Sequence, residues 1–173
     1  DDVHKADLLN NYFSSVCKKD YGNLPNFISR TSSTIETISF TPAIITRCIN
    51  KLKTNTSAGP DGLPTIILKK LGDSIAYPLS MFFTSFMSVS KLPTEWKSAI
   101  VTPIYKKGQS FCCNNYRPIS LTCTSCKIME RTIVLELTGY LRANNLITRE
   151  QHGFLTRRST TTNLLETLND WTV

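Results

Sequence analysis

The spacing of apolar positions predicts helices over most of this chain and one pair of strands near its middle. Between residues 5 and 18, Leu8, Leu9, Tyr12, Phe13 and Val16 form a helical stripe. Residues 19–39 carry Gly22, Pro25 and a Thr/Ser cluster at 31–34, and read as a linker. Thr41 followed by Pro42 is a helix start, a side-chain cap with proline at the first helical position. Ile44, Ile45, Cys48, Ile49 and Leu52 then share one face, with Arg47, Lys51 and Lys53 largely elsewhere. The pattern breaks at 55–64, NTSAGPDGLP, where Gly-Pro-Asp-Gly has the chemistry of a turn. A short helix is expected over 65–71. A longer one is expected from 73 to 91, capped by Asp73, with Ile75, Leu79, Phe82, Phe83, Phe86 and Met87 as a core stripe. Pro78 fits that helix only near its first turn, because its ring removes a donor and clashes with the carbonyl four residues back.

The period changes at 98–105 and 116–121, two β-rich runs flanking the polar, turn-prone segment 106–115. That reads as a hairpin with a long loop. A long helix follows over 122–144, with Ile128, Val134, Leu137 and Leu141 on its buried side and Asn144–Asn145 as its stop. Residues 151–159, QHGFLTRRS, form a loop, and Ser159 or Thr160 caps a last helix bearing Leu164, Leu165, Leu168 and Trp171. The expected class is α+β, mostly helical with one β-hairpin. No internal repeat or low-complexity tract is visible.

Composition narrows the function. The chain has 173 residues, 40% of them hydrophobic, and a net charge of +7. That length suits one domain, and the charge favours a polyanionic partner. No apolar run reaches the roughly 18–20 residues that a membrane span requires. The first residues, Asp1 and Asp2, are not a basic segment leading into an apolar one, so no signal peptide is expected. With no initial Met and no stop signal after Trp171, the chain reads as a piece of something longer. Its six cysteines are expected as free thiols. Cys112, Cys113, Cys123 and Cys126 can in principle form a four-sulfur zinc site, but adjacent cysteines seldom ligate one metal without strain. His4 and His152 are far apart, and no nucleophile elbow, Walker loop or dinucleotide fingerprint is present. His152 reads as a loop residue rather than a base.

The hairpin holds the most suggestive chemistry. It puts Lys106 where the first strand ends and Arg117 where the second begins. A point charge and a planar fork together suit the oxygens of one phosphate group. Spacing alone favours an ordinary solvated hairpin, because charge runs are usually solvated faces. The backbone of Gly59–Gly62 can lie against a phosphate chain or serve as a plain connector.

The wording of four blocks, in order, resembles the reverse transcriptases of non-LTR (LINE-like) retrotransposons. They are AGPDG at 58–62; LPTEWKSAIVTPIYKKG at 92–108; NYRPISL at 115–121 followed by CKIMER at 126–131; and QHGFLTRRSTTTNLL at 151–165. The resemblance covers residues 41 onward. It implies fingers and early palm of a right-hand polymerase over 41–173, with 1–40 as the segment preceding that domain. The implied activity is RNA-directed DNA polymerisation, a nucleotidyl transfer using two Mg²⁺ ions. The implied partners are an RNA template, a DNA primer, a dNTP, the remaining palm and thumb, and an endonuclease domain in the parent polyprotein. The implied setting is intracellular, in cytoplasm and nucleus as a ribonucleoprotein.

Residue by residue, the resemblance puts Lys106 and Arg117 on the triphosphate of the incoming dNTP and Ile119 against the templating base. It puts Lys107, Gly59, Pro60, Asp61 and Gly62, and in the last block Gln151, Gly153, Phe154, Arg157 and Arg158, near template or primer. The family's metal-binding aspartates belong to later motifs that this sequence lacks. No catalytic or metal-binding residue is therefore expected here, and the fragment alone is expected to be inactive. The alternative is a catalytically silent nucleic-acid-binding remnant of the same fold.

Overall fold

The protein's structure, a computed structural model, describes residues 1–23, 26–28 and 30–172; Pro25 of the predicted linker lies outside them. The described residues form six α-helices and a two-stranded antiparallel hairpin. They divide into two compact units, one of Asp1–Phe27 with Ser39–Ile133, the other of Ile28–Ile38 with the residues from Val134 onward.

In the first unit, α1 spans Asp2–Ser15 and is capped by Asp1, whose carboxylate accepts the His4 N–H at 2.8 Å. The helix α2, Pro42–Asn50, starts as predicted: the Thr41 hydroxyl oxygen accepts the Ile44 N–H at 3.3 Å and Pro42 opens the helix. Ile45, Cys48 and Ile49 are buried against α4. The helices α3, Thr65–Leu71, and α4, Asp73–Val89, are separated by Gly72 alone, at φ +48°. This overturns the cap expected at Asp73. Asp73 is already helical, and glycine occupies the junction because only it turns cheaply into positive φ between abutting helices.

Pro78 sits in the second turn of α4, deeper than expected. The missing hydrogen bond there is offset by burial of the neighbouring Ala76, Leu79 and Phe83. Phe83 is fully buried, edge-on to Phe40 (5.7 Å between centroids) and Trp96 (5.9 Å). Phe82 and Met87, expected in the same core, are exposed. The predicted stripe is wider than the face that α2 and Trp96 cover, so Phe82 stacks on Phe86 at 6.2 Å instead.

Trp96 belongs to a 3₁₀ turn, Thr94–Lys97, that Ser98 closes by donating its N–H to the Glu95 carbonyl at 3.3 Å. The strand β1 therefore starts at Ile100 rather than 98, and runs to Tyr105. It pairs with β2, Tyr116–Leu121, in a register that sets Ile104 opposite Arg117 and Tyr105 opposite Tyr116. The helix α5, Thr124–Ala143, buries Thr124, Cys126, Ile128, Met129 and Thr132 in this unit.

The second unit begins where α5 leaves the first. Its half of α5 is anchored by a Tyr140 hydroxyl that donates to the Ser33 carbonyl at 2.5 Å. The buried side predicted for α5 fails here. Val134 and Leu137 are exposed, because this half of the helix has only a short segment against it. Asn145, at φ +51°, ends the helix as its sequence suggests, with the Leu146 N–H returning to the Leu141 carbonyl at 2.8 Å. Ser159 caps α6, Thr160–Thr172: its hydroxyl oxygen accepts the Thr162 N–H at 3.2 Å, and its own N–H reaches the Thr162 hydroxyl at 2.8 Å. The apolar residues Leu164, Leu165, Leu168 and Trp171 of α6 are all exposed.

Candidate functional site

Strand pairing sorts the hairpin into two chemically different faces. Side chains alternate along each strand and directly paired residues share a face. Arg117 therefore shares a face with Ile104, and Ile119 with Thr102 on that same face. Lys106 continues the alternation one step beyond Ile104, its N–H donating to the Asn115 carbonyl at 2.8 Å and extending the ladder into the loop. Lys106, Arg117 and Ile119 thus lie on one side. The opposite face carries Val101, Pro103 and Tyr116, which line a cleft of about 970 Å³ together with Leu9 and Phe13 of α1.

Lys106, Lys107 and Arg117 are all exposed, and none takes part in an ion pair among the described residues. An arginine serving only to tie its strand to the fold would be matched with an acid. Arg117 is exposed, on the same face as Lys106 and diagonal to it in the strand register. Ile119, on the same face, is half exposed.

The Gly59–Gly62 loop is fixed beneath the end of β2. The Gly62 N–H donates to the Gly59 carbonyl at 3.0 Å, and Gly62 takes φ +64°. Gly59 is buried so closely against Thr122 and Cys123 that a Cβ there would lie 2.5 Å from the Cys123 nitrogen. Pro60 and Asp61 remain exposed. The Asp61 carboxylate accepts the Leu63 N–H at 3.1 Å and lies beside the Cys123 thiol, which burial and then that carboxylate push above its ordinary pKa. A chain of hydroxyls, Thr56 to Thr65 at 2.8 Å and Thr65 to Thr124 at 3.0 Å, joins this loop to the starts of α3 and α5. Sequence reasoning missed that chain. Three threonines far apart in sequence give no local signal beyond two of them opening helices.

In the second unit, His152 is buried and bridges Thr162 through Nδ1 at 2.9 Å and Glu166 through Nε2 at 2.8 Å. The His152 hydrogen bond holds the Glu166 carboxyl below its usual pKa. Arg158 turns inward and donates to the carbonyls of Arg149 and, at 3.2 Å, Gln151. It is an internal clamp of this loop. Gly153, Phe154 and Arg157 project outward, Phe154 fully exposed at φ +61° and Arg157 at φ +65°. Gln151 is exposed and donates to the Gly153 carbonyl at 3.0 Å.

The six cysteines are free thiols. Among the described residues, no group of three or more His, Cys, Asp or Glu is placed to hold a metal ion. Among the described residues no helix is long and apolar enough to cross a membrane.

Comparison with known proteins bears on the chain as a whole. No family model matches the chain. It is 32% identical over 122 residues to the RNA-directed DNA polymerase from mobile element jockey of Drosophila melanogaster, covering 70% of this chain and 13% of that protein. The chain is related to the RNA-directed DNA polymerases of non-LTR mobile elements. Similar matches from the same organism are the probable RNA-directed DNA polymerases of transposon X-element, 27% identical over 116 residues, and of transposon BS, 29% over 117. These cover 66% and 67% of this chain and 13% of each relative. The chain spans about an eighth of the length of the relatives it matches, on the order of one module of a long protein.

Proposed function

We propose that the first unit is the fingers portion of a reverse transcriptase and that its hairpin receives the triphosphate of an incoming dNTP. One observation carries this reading: Lys106 and Arg117 share a hairpin face, exposed and without ion pairs, in a chain related to such polymerases. Arginine's parallel donors fix a phosphate's orientation, while lysine adds a compact charge. Ile119, on the same face, backs the templating base. Lys107 and the exposed turn at Pro60–Gly62 lie along template or primer, with Gly59 as the buried anchor of that turn. In the second unit, exposed Phe154 offers a ring on which a base can stack. Arg157 supplies charge beside it, and Gln151, Gly153 and Arg158 shape that loop.

The polymerase reaction needs Mg²⁺, and the carboxylate sets that hold it belong to motifs this sequence lacks. Among the described residues no group of three or more His, Cys, Asp or Glu is placed to hold a metal ion, and every role assigned here is one of binding and orientation. On this reading polymerisation needs the longer protein, and an incorporation assay on this chain with Mg²⁺ is expected to give no product. Its partners there are an RNA template, a DNA primer and a dNTP. The net positive charge resides in the first unit, whereas acids and bases balance in the second. Nucleic-acid affinity should follow the first unit and fall steeply with salt.

The test is Arg117→Ala in a polypeptide extended through the catalytic carboxylates. Loss of one preorganised donor to a reacting phosphate should slow single-nucleotide incorporation about 10²–10³-fold. Template binding should change far less, and Arg117→Lys should recover part of the rate. A normal rate per folded molecule would end the triphosphate assignment.

A further inference from the structure

The hairpin loop is held from behind by side chains of its own strand ends. Three consecutive loop carbonyls each accept from one of them. The Tyr105 hydroxyl donates to Gly108, the Asn115 side-chain amide to Gln109 at 2.9 Å, and the Tyr116 hydroxyl to Ser110 at 2.8 Å. Tyr105 and Tyr116 are direct cross-strand partners with rings edge-on at 5.6 Å between centroids. Backbone bonds tighten the same loop, Cys112 N–H to Gln109 at 3.1 Å and Asn115 N–H to Cys112 at 3.0 Å. Gly108 turns at φ +92° and packs so tightly on Asn115 that a Cβ would meet its side-chain nitrogen at 2.7 Å.

This arrangement is unusual for an exposed ten-residue connection, because ordering such a segment carries a large entropic cost. A loop with no further role would more cheaply leave its carbonyls to water. All three donors spring from the two residues flanking Lys106 and Arg117 or from their cross-strand neighbours. The tyrosines lie on the face opposite the cations, so their hydroxyls hold the loop without competing for a ligand.

We infer that Tyr105, Tyr116 and Asn115 are positioning residues that set the separation of Lys106 and Arg117 before a condensed phosphate chain arrives. The inference rests on the triphosphate reading of the hairpin. A held backbone under both cations suits a ligand long enough to engage both at once. Preorganisation raises affinity for that ligand by removing the ordering cost from binding. A single phosphate, even where both side chains converge on it, is met by their flexible ends rather than by the backbone beneath them, and gains little from a fixed loop. The device therefore selects chains of phosphates over orthophosphate.

The experiment uses the 173-residue chain and the double variant Tyr105→Phe/Tyr116→Phe, which keeps the ring pair and removes both hydroxyls. Each lost hydrogen bond should weaken the closed loop about fivefold. Amide exchange at Cys112 and Asn115 should rise at least that much, while strand amides from Val101 to Ile104 stay protected. Affinity for inorganic tripolyphosphate should fall about five- to tenfold and affinity for orthophosphate should hold, a change in ratio that simple loss of stability would not produce. Arg117→Ala is measured beside it. Unchanged exchange in the double variant overturns the lock. Faster exchange with an unchanged tripolyphosphate-to-orthophosphate ratio overturns the positioning role alone. A wild-type chain that binds tripolyphosphate no better than Arg117→Ala overturns the triphosphate reading and the positioning role together.

Discussion

Replacing Gly59 by alanine tests how rigidly the turn is seated under β2. A Cβ at this position would meet the Cys123 nitrogen at 2.5 Å, the Thr122 carbonyl carbon at 2.6 Å and its oxygen at 2.7 Å. Comfortable separation for carbon is about 3.5–4.0 Å, so roughly 1 Å must be found. Every atom in the way is backbone. The strand pairs up to Leu121 on one side, and buried Cys123 leads into α5 on the other. Neither side rotates away as a flexible side chain would. Overpacking costs about 1–3 kcal/mol, and the rigid neighbours put this site near the upper value.

At about 4 °C per kcal/mol for a unit of this size, Tm should drop roughly 8–12 °C. Gly62→Ala is the control. Its φ of +64° is strained for alanine, but a Cβ there meets nothing within 4 Å. Left-handed strain of about 1–2 kcal/mol, partly offset by a less flexible unfolded chain, should cost only about 4 °C. The melts are followed by Trp96 fluorescence in a Trp171→Phe background, which reports on the first unit. Gly59→Ala melting within about 2 °C of the parent, or above Gly62→Ala, would refute the close-packing argument.

The second unit should be acid-sensitive through Glu166. Its carboxyl is held below the usual range chiefly by the His152 hydrogen bond, so the stability it contributes is present above the ordinary carboxylate pKa and fades as pH falls through the lowered one. Glu166→Gln should remove that acid limb from the melting profile, and a limb that persists would assign it to other groups. Thiol labelling should separate the cysteines. Burial pushes Cys126 to about 11, and Cys48 and Cys123 are also buried, whereas Cys17 is exposed. Mass mapping after brief alkylation at mild alkaline pH should find Cys17 modified first, and early modification of Cys126 would contradict its burial.

Local chemistry made the elements legible. Thr41–Pro42, the strand runs on either side of 106–115 and the Asn145 stop all follow from residues next to one another, and the structure forms each of them. Burial was legible only where one neighbour decided it. Ile45, Cys48, Ile49 and Phe83 are buried, but an apolar face is a statement about one helix, while its burial depends on what lies across from it. Val134, Leu137 and the α6 leucines have nothing large against them within their unit, and no periodicity can report that. The candidate site shows the same division. Lys106 and Arg117 were visible from turn spacing, because a hairpin register converts sequence offset into a shared face. The carbonyl lock by Tyr105, Asn115 and Tyr116 was not. It depends on loop curvature that no pattern of residue types encodes.

Asp61 poses a remaining electrostatic question, since an acid in a turn expected to lie along a phosphate chain should repel it. The geometry answers through the acid's partners. One carboxylate oxygen is engaged by the Leu63 N–H, and the group lies beside the Cys123 thiol. That thiol stays neutral because it is buried and because the carboxylate itself disfavours a second negative charge. Asp61 thus closes the turn that Gly62 completes, as aspartate does in a side-chain-closed turn. It stays exposed beside Pro60 and the Gly62 backbone, so its charge is still presented at that surface. On the proposed reading, a phosphate chain there would run along Pro60 and the Gly62 backbone, and its attraction would come from the net positive charge of the first unit. On that reading the carboxylate is kept for the turn it closes on the Leu63 N–H, not for contact with the phosphates.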